Sequence, residues 1–186
     1  NLKLRFQSPL YDAREIFLFE CYSGIRVSDI LTLKWRNISD KKITIRMRKT
    51  DKYLSIPLQN YVKSILEKRR QMVENNGGQI CPNKYVFNIL KIDVDNISAY
   101  DALNAISSAT AIINRRLKRI AAIAGIKKNL STHVARHSFA TMLVTGDVNL
   151  AVIKELLGHS DVRVTQVYAK VVSKKKEEAI NVLNNY

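Results

Sequence analysis

A chain of 186 residues suits one domain, or one large and one small, and a hydrophobic fraction of 46% is ordinary for a globular core. Lys and Arg number 31 against 16 acidic residues; where it clusters, the resulting formal charge of +15 attracts polyphosphate or an acidic membrane. The membrane has little support, because no apolar run nears the ~18 residues of a span; "IAAIAGI" (120–126), among the longest, has seven.

"SPLYDAREIFLFECYSG" predicts a helix, with Ser8 as N-cap, Pro9 in the first turn and Gly24 as its stop. "RVSDILTLKW" (26–35) predicts a second, short helix. In "KKITIRMRKTDKYLSIPL" (41–58) Ile43, Ile45 and Met47 alternate with Thr44, Arg46 and Arg48, the period of a strand. "KTDK" (49–52) is the turn and "YLSIP" the return strand, so a small sheet is expected. "LQNYVKSILEKRRQMVE" predicts a helix with Val62, Leu66 and Val73 near one face, and 74–84 a loop. "YVFNIL" is a short buried segment, while 91–98 is ambiguous. From about Tyr100 to Ala124 the apolar spacing is helical, with Gly125 as its cap, and further helices are expected at 132–145, 149–157 and near 173–185. The fold class is mainly α with a small antiparallel β-sheet.

"STHVARHSFA" (131–140) holds two of the three histidines. On a helix His133, Arg136 and His137 are i, i+3 and i+4 and share a face. A zinc pair, an anion cradle and an ordinary helix surface all remain compatible with that spacing. The Glu of H-E-x-x-H is missing, and Arg136 puts a fixed positive charge beside any cation, so an anion is the better guest. A guanidinium presents a planar fork of donors that matches a phosphate. Cys21 and Cys81 are too few and too far apart for a disulfide framework or a thiolate zinc site, and no signal peptide is visible, so a reducing, intracellular setting is expected.

The next stretch adds order to the pattern. "HVARHSFATMLVTGDVNLAVIKELLGHSDVRVTQVYAKV" resembles the tyrosine recombinase, or phage integrase, family: H-x-x-R-H, then L-L-G-H, then a tyrosine nine residues after its histidine. "CYSGIRVSDILTLKWRNIS" (21–39) is similar to the family's first arginine box, with Arg26 as the arginine and Asp29 at the acidic position. "RKTDKYLSIPL" (48–58) is similar to the hairpin that carries the catalytic lysine; Lys49 is the match and Lys52 competes with it. The resemblance spans about residues 8–185, though 74–108 match no family motif.

It implies a tyrosine recombinase catalytic-domain fold over 1–186, without the N-terminal DNA-binding domain that usually accompanies it; the chain starts at Asn1 rather than Met. It also implies a site-specific DNA recombinase or integrase that needs no cofactor, metal or ATP. Tyr168 is the nucleophile, Arg26 and Arg136 stabilise charge on the phosphate, and His133 receives the phenolic proton. His159 donates to a nonbridging oxygen, Lys49 protonates the leaving 5′-oxygen, and Asp29 orients its neighbours. His137 is assigned to packing and a backbone hydrogen bond. Arg115, Lys118 and Arg119, away from the Ile113/Leu117/Ile120 stripe, are candidate contacts to the DNA backbone. The partners implied are double-stranded DNA and a homo-tetramer assembled on it, with no membrane, in a cytoplasmic, bacterial nucleoid-associated location. The helix at 173–185 is expected to dock in trans on a neighbouring protomer. A DNA-binding module without cleavage and a type IB topoisomerase are the rival readings; the spacing from L-L-G-H to Tyr168 favours the recombinase.

Overall fold

Ser8 opens α1 (Pro9–Ser23) by accepting the Tyr11 N–H at 3.2 Å, with Pro9 in the first turn where its missing N–H is no loss. The computed structural model describes residues 4–5, 8–159, 168 and 181. α1 is the central element. It buries Ala13, Ile16 and Phe19 completely and packs against three later helices, α3 (Asn60–Asn75), α4 (Ala99–Ile123) and α5 (Thr132–Thr145). It ends at Gly24, whose φ of 67° lets its N–H close on the Glu20 carbonyl.

α2 covers Val27–Leu31 and stops short of the expected residue 35. Thr32 turns its hydroxyl back onto the Ser28 carbonyl at 3.0 Å, and the chain leaves the helix. The Trp35 N–H then bonds to the Lys84 carbonyl at 3.1 Å and the Val86 N–H to the Leu33 carbonyl at 2.8 Å. A 3₁₀ turn at Trp35–Asn37 completes the segment. This pairing with a loop some fifty residues on replaces helix, and local pattern does not announce it.

β1 (Lys42–Arg46) and β2 (Tyr53–Pro57) form the expected antiparallel pair, with Ile43 opposite Ile56 and Ile45 opposite Leu54. Those four side chains are buried while Lys42, Arg46, Tyr53 and Ser55 are not, so one face of the hairpin covers the core. α3 starts two residues after the expected Leu58 and ends one after Glu74, and Met72 rather than Val73 points inward. Arg69, one turn earlier, sets that face: it pairs with Asp12 at 2.7 Å and lies over the Phe87 ring.

Val86, Phe87 and Leu90 are buried as expected, and 91–98 resolves into a 3₁₀ turn at Val94–Asn96. The buried Lys34 ammonium anchors that turn through Asp93 at 3.0 Å and Asp95 at 2.7 Å. α4 sets Ala102, Ile106, Ala109, Ile113, Leu117 and Ile120 inward. α5 and α6 (Leu150–Leu157) begin at Ser131 and Asn149, whose side chains accept the Val134 and Ala151 N–H groups.

Most of these elements share one apolar core. A second, smaller cluster joins Phe139, Ala140 and Val144 of α5 to Ile153 and Leu157 of α6 and to Tyr168. The fold is mainly α with a two-stranded antiparallel sheet, as expected. Among the described residues no helix is long and apolar enough to cross a membrane. The helix expected at 173–185, and with it any docking in trans, lies outside the described residues, apart from the single position Asn181.

Candidate active site

Arg136 stands at the meeting point of three helices. Its position on α5 faces α1, and its guanidinium donates to the Gly24 carbonyl at the end of α1 and to the Leu157 carbonyl at the end of α6. Both acceptors sit at helix C-termini, where carbonyls lack intrahelical partners and the dipole is negative. The residue is 9% exposed. Burial, and next the charge of Arg26, lower its pKa to about 10, so it remains charged at neutral pH. Two of its five donors are spent on the scaffold, and among the described residues the others have no hydrogen-bond acceptor.

Two glycines make this approach possible. A Cβ on Gly24 would lie 2.5 Å from Cδ1 of Phe139. Gly158 ends α6 with φ at 58°, and a Cβ there would overlap the Met47 thioether. Met47 is in turn the sulfur that receives Arg26 Nη1 at 3.2 Å. The glycines of "SGIR" and "LLGH" thus let three elements close around the two arginines.

Arg26 is the N-cap of α2, and Asp29 follows one turn on. Asp29 is 3% exposed; one carboxylate oxygen accepts the Arg48 N–H at 2.9 Å, and the other has no hydrogen-bond partner among the described residues. Burial raises its pKa, against the pull of the Arg48 N–H and the charges of Arg26 and Arg136. It therefore ties the hairpin turn to α2 and stands beside both arginines.

His159 follows the α6 cap. Burial pushes its pKa down to about 4, reinforced by Arg136, Arg26 and Lys49 in that order. Lys49 lies on the exposed hairpin turn, and its charge adds to those of the two arginines on this imidazole. Lys52 lies on the far side of that turn and lines a groove of about 650 Å³ between β2 and α6 that reaches His159.

Tyr168 is buried against α5 and α6. Its hydroxyl is 2.6 Å from Nδ1 of His137, and Nε2 of His137 is 2.8 Å from Nε2 of His133. His137 thus differs from expectation: its ring faces two side chains rather than a backbone carbonyl. Burial raises the Tyr168 pKa, opposed by Arg136, and burial, then His133 and Arg136, lowers that of His137. His133 is exposed, at the outer end of the row.

Arg115, Lys118 and Arg119 are exposed on α4, away from its buried stripe. Asn114 accepts the Thr132 N–H at 2.9 Å, so α4 borders the start of α5, and Lys118 lies one turn along from that contact. Among the described residues, no three His, Cys, Asp or Glu side chains group as metal ligands would.

Sequence reading missed Glu20. It lies on the buried face of α1, in register with Ile16, and is 2% exposed. The Val27 N–H at the start of α2 faces its carboxylate and favours the charged form, while Oε2 has no hydrogen-bond partner among the described residues. Burial raises its pKa well above the usual value, opposed chiefly by Arg136. The available signal was an acid within the apolar run that follows Ile16 in α1.

Comparison with known proteins bears on the family and the fold. The model of the phage integrase family matches residues 7–175. A tyrosine recombinase of Pseudothermotoga lettingae is 30% identical over 164 residues, covering 87% of this chain and 50% of the relative. Tyrosine recombinase XerC of Xanthomonas axonopodis pv. citri is 28% identical over 148 residues, covering 78% and 42%. The chain thus spans about half the length of the relatives it matches. The fold is shared with XerH site-specific recombinase in its post-cleavage complex with a palindromic difH substrate (TM-score 0.64, 22% identity, 97% of this chain and 48% of that one). It is shared too with the catalytic domain of bacteriophage HP1 integrase (TM-score 0.50, 22% identity, 97% and 95%). By its family match along most of its length, and by a fold in common with the recombinase catalytic domains, the chain belongs to the phage integrase family of tyrosine recombinases.

Proposed function

We propose that this chain carries the catalytic centre of a site-specific DNA recombinase or integrase, which cleaves and rejoins strands through a 3′-phosphotyrosyl intermediate without metal or ATP. The observation that carries this reading is Arg136: a buried guanidinium fixed by two helix ends, beside a second arginine and a tyrosine hydroxyl. A phosphodiester is the guest that such a fork suits.

In this reading a scissile phosphate sits against Arg26, Arg136 and His159. Negative charge in phosphoryl transfer gathers on the nonbridging oxygens, so fixed donors aimed there do most of the work. Tyr168 attacks phosphorus, the bond to the 5′-oxygen breaks, and Lys49 supplies that oxygen's proton. The phenolic proton passes to the α5 histidines and ends on His133. Asp29 orients Arg26 and the hairpin turn. The phosphotyrosyl bond keeps the free energy of the phosphodiester, so a 5′-hydroxyl rejoins the strand by the reverse step.

The net charge of +15 and the exposed Arg115, Lys118 and Arg119 support double-stranded DNA as partner. A homo-tetramer on DNA, joined through the C-terminal segment, is the assembly proposed. The test uses a pool of nicked duplexes of randomised sequence, in which the released fragment diffuses away. The chain should form a covalent adduct, and Tyr168→Phe should abolish it with little change in DNA binding. An adduct that survives Tyr168→Phe removes the nucleophile; tight binding with no adduct in the unaltered chain leaves a DNA-binding module.

A further inference from the structure

We infer that His137 is the immediate base for Tyr168 and that His133 receives the proton from it, so that the two histidines form a relay from the buried phenol to the protein surface. The inference deepens the proposed reaction and rests on it. Its basis is a row of three rings. Tyr168 Oη stands 2.6 Å from His137 Nδ1, and His137 Nε2 stands 2.8 Å from His133 Nε2. The phenol is 6% exposed, the middle ring half-buried and the last ring exposed. Along this row the phenol meets His137 directly and His133 only through it.

The relay requires one set of tautomers along the row. For Tyr168 to donate, His137 Nδ1 must be bare, which leaves the His137 proton on Nε2. That proton then points at His133 Nε2, which must be bare in turn, with the His133 proton on Nδ1. On attack the Tyr168 O–H bond breaks and its proton goes to His137 Nδ1. The His137 Nε2–H bond breaks and its proton goes to His133 Nε2. The phenolate oxygen bonds to phosphorus and the P–O5′ bond breaks, the 5′-oxygen taking a proton from Lys49. His137 ends neutral with its tautomer exchanged, and His133 ends as an imidazolium able to lose the proton to water. Rejoining runs the row backwards.

The surroundings favour passage over storage. His137 is faced by Arg136 and His133 on its own helix, by Tyr168, and electrostatically by His159. Burial first, and then its neighbours His133 and Arg136 on α5, make it a poor resting place for a charge. His133 lies in solvent at the N-terminal turn of α5.

Three measurements on the chain test this. Under conditions where the unaltered chain forms the adduct, His137→Ala and His137→Gln should slow single-turnover adduct formation by about 10²- to 10⁴-fold, with DNA binding retained. His133→Ala should cost less. A fluorinated tyrosine at position 168, whose phenol ionises more readily, should recover much of the loss in the His137 variants, which a merely structural role does not allow. The third is a ¹⁵N spectrum of the histidines without DNA, which should show His137 protonated on Nε2 and His133 on Nδ1. Undiminished adduct formation in the His137 variants, no recovery with the fluorinated phenol, or the opposite tautomers would each overturn the relay. Failure of the unaltered chain to form any adduct counts against the proposed reaction instead, while the tautomers still decide the proton arrangement.

Discussion

Arg136→Lys is the sharpest test of how the centre is held. Lysine keeps the charge and loses the fork, so it cannot serve both helix ends and a phosphate together. Adduct formation should fall by at least about 10²-fold, the scale of removing one aimed donor, and the thermal midpoint should fall as well. Glu20 answers to a different test. Glu20→Ala removes a buried carboxylate that faces Arg136 and the Val27 N–H and should cost about 1–3 kcal/mol in chemical denaturation, while Glu20→Gln keeps the polar group and most of the stability. His159 gives a pH signature. Its folded pKa of about 4 lies below the ordinary 6.5, so between those values the unfolded chain binds more protons than the folded one. Stability therefore falls as pH drops through that window and levels off below it. His159→Asn should remove that part of the acid loss, measured as denaturation midpoints against pH for the two proteins. Of the residues, Arg26, Arg136, His159 and Tyr168 were legible as candidates through the family motifs that the sequence resembles. Glu20 was not, since an acid one turn before a cap reads as surface until α2 folds back over it. The contact of His137 with the phenol was hidden too, because it joins positions 31 apart in the chain.

Among the elements, the legible ones carried their own punctuation. Ser8 with Pro9, Ser98, Ser131 and Asn149 mark helix starts by side-chain bonds made within three residues. The hairpin followed from strict alternation at 43–47. α2 was overdrawn, because its end is decided by pairing with 82–86, a partner that no local window contains. The junction of α1 and α2 supplies the prediction at this scale. Gly24→Ala combines a left-handed backbone, worth about 1–2 kcal/mol for any residue with a Cβ, with a collision against Phe139. Overpacking adds about 1–3 kcal/mol. Thermal denaturation should show the loss. DNA cleavage should suffer further, because Phe139 lies one turn of α5 from Arg136. A variant with unchanged midpoint and activity would show that the α1–α5 contact is looser than its geometry.

At the level of the whole molecule, charge and architecture cooperate. The excess of 15 positive charges is long-ranged in dilute salt and screened in concentrated salt. If about six phosphates are neutralised, the logarithm of the binding constant should fall against that of salt with a slope near −5. Replacing Arg115, Lys118 and Arg119 together by Ala should flatten the slope by about 0.9 for each phosphate that is no longer neutralised, as read by fluorescence anisotropy across a salt series. An unchanged slope would move the DNA path off α4. The way Arg136 is anchored has a further consequence, for how such a centre tolerates change. Its two scaffold partners are main-chain carbonyls, and a carbonyl is present whatever the side chain. Replacing Leu157 by another apolar residue leaves that acceptor in place. A one-residue insertion or deletion in α6, by contrast, rotates the helix end by about 100° and carries the acceptor away. The centre is thus shielded from drift in side-chain identity and exposed to changes in register, so viable variants should differ by exchange within these helices and take their length changes in the loops between them.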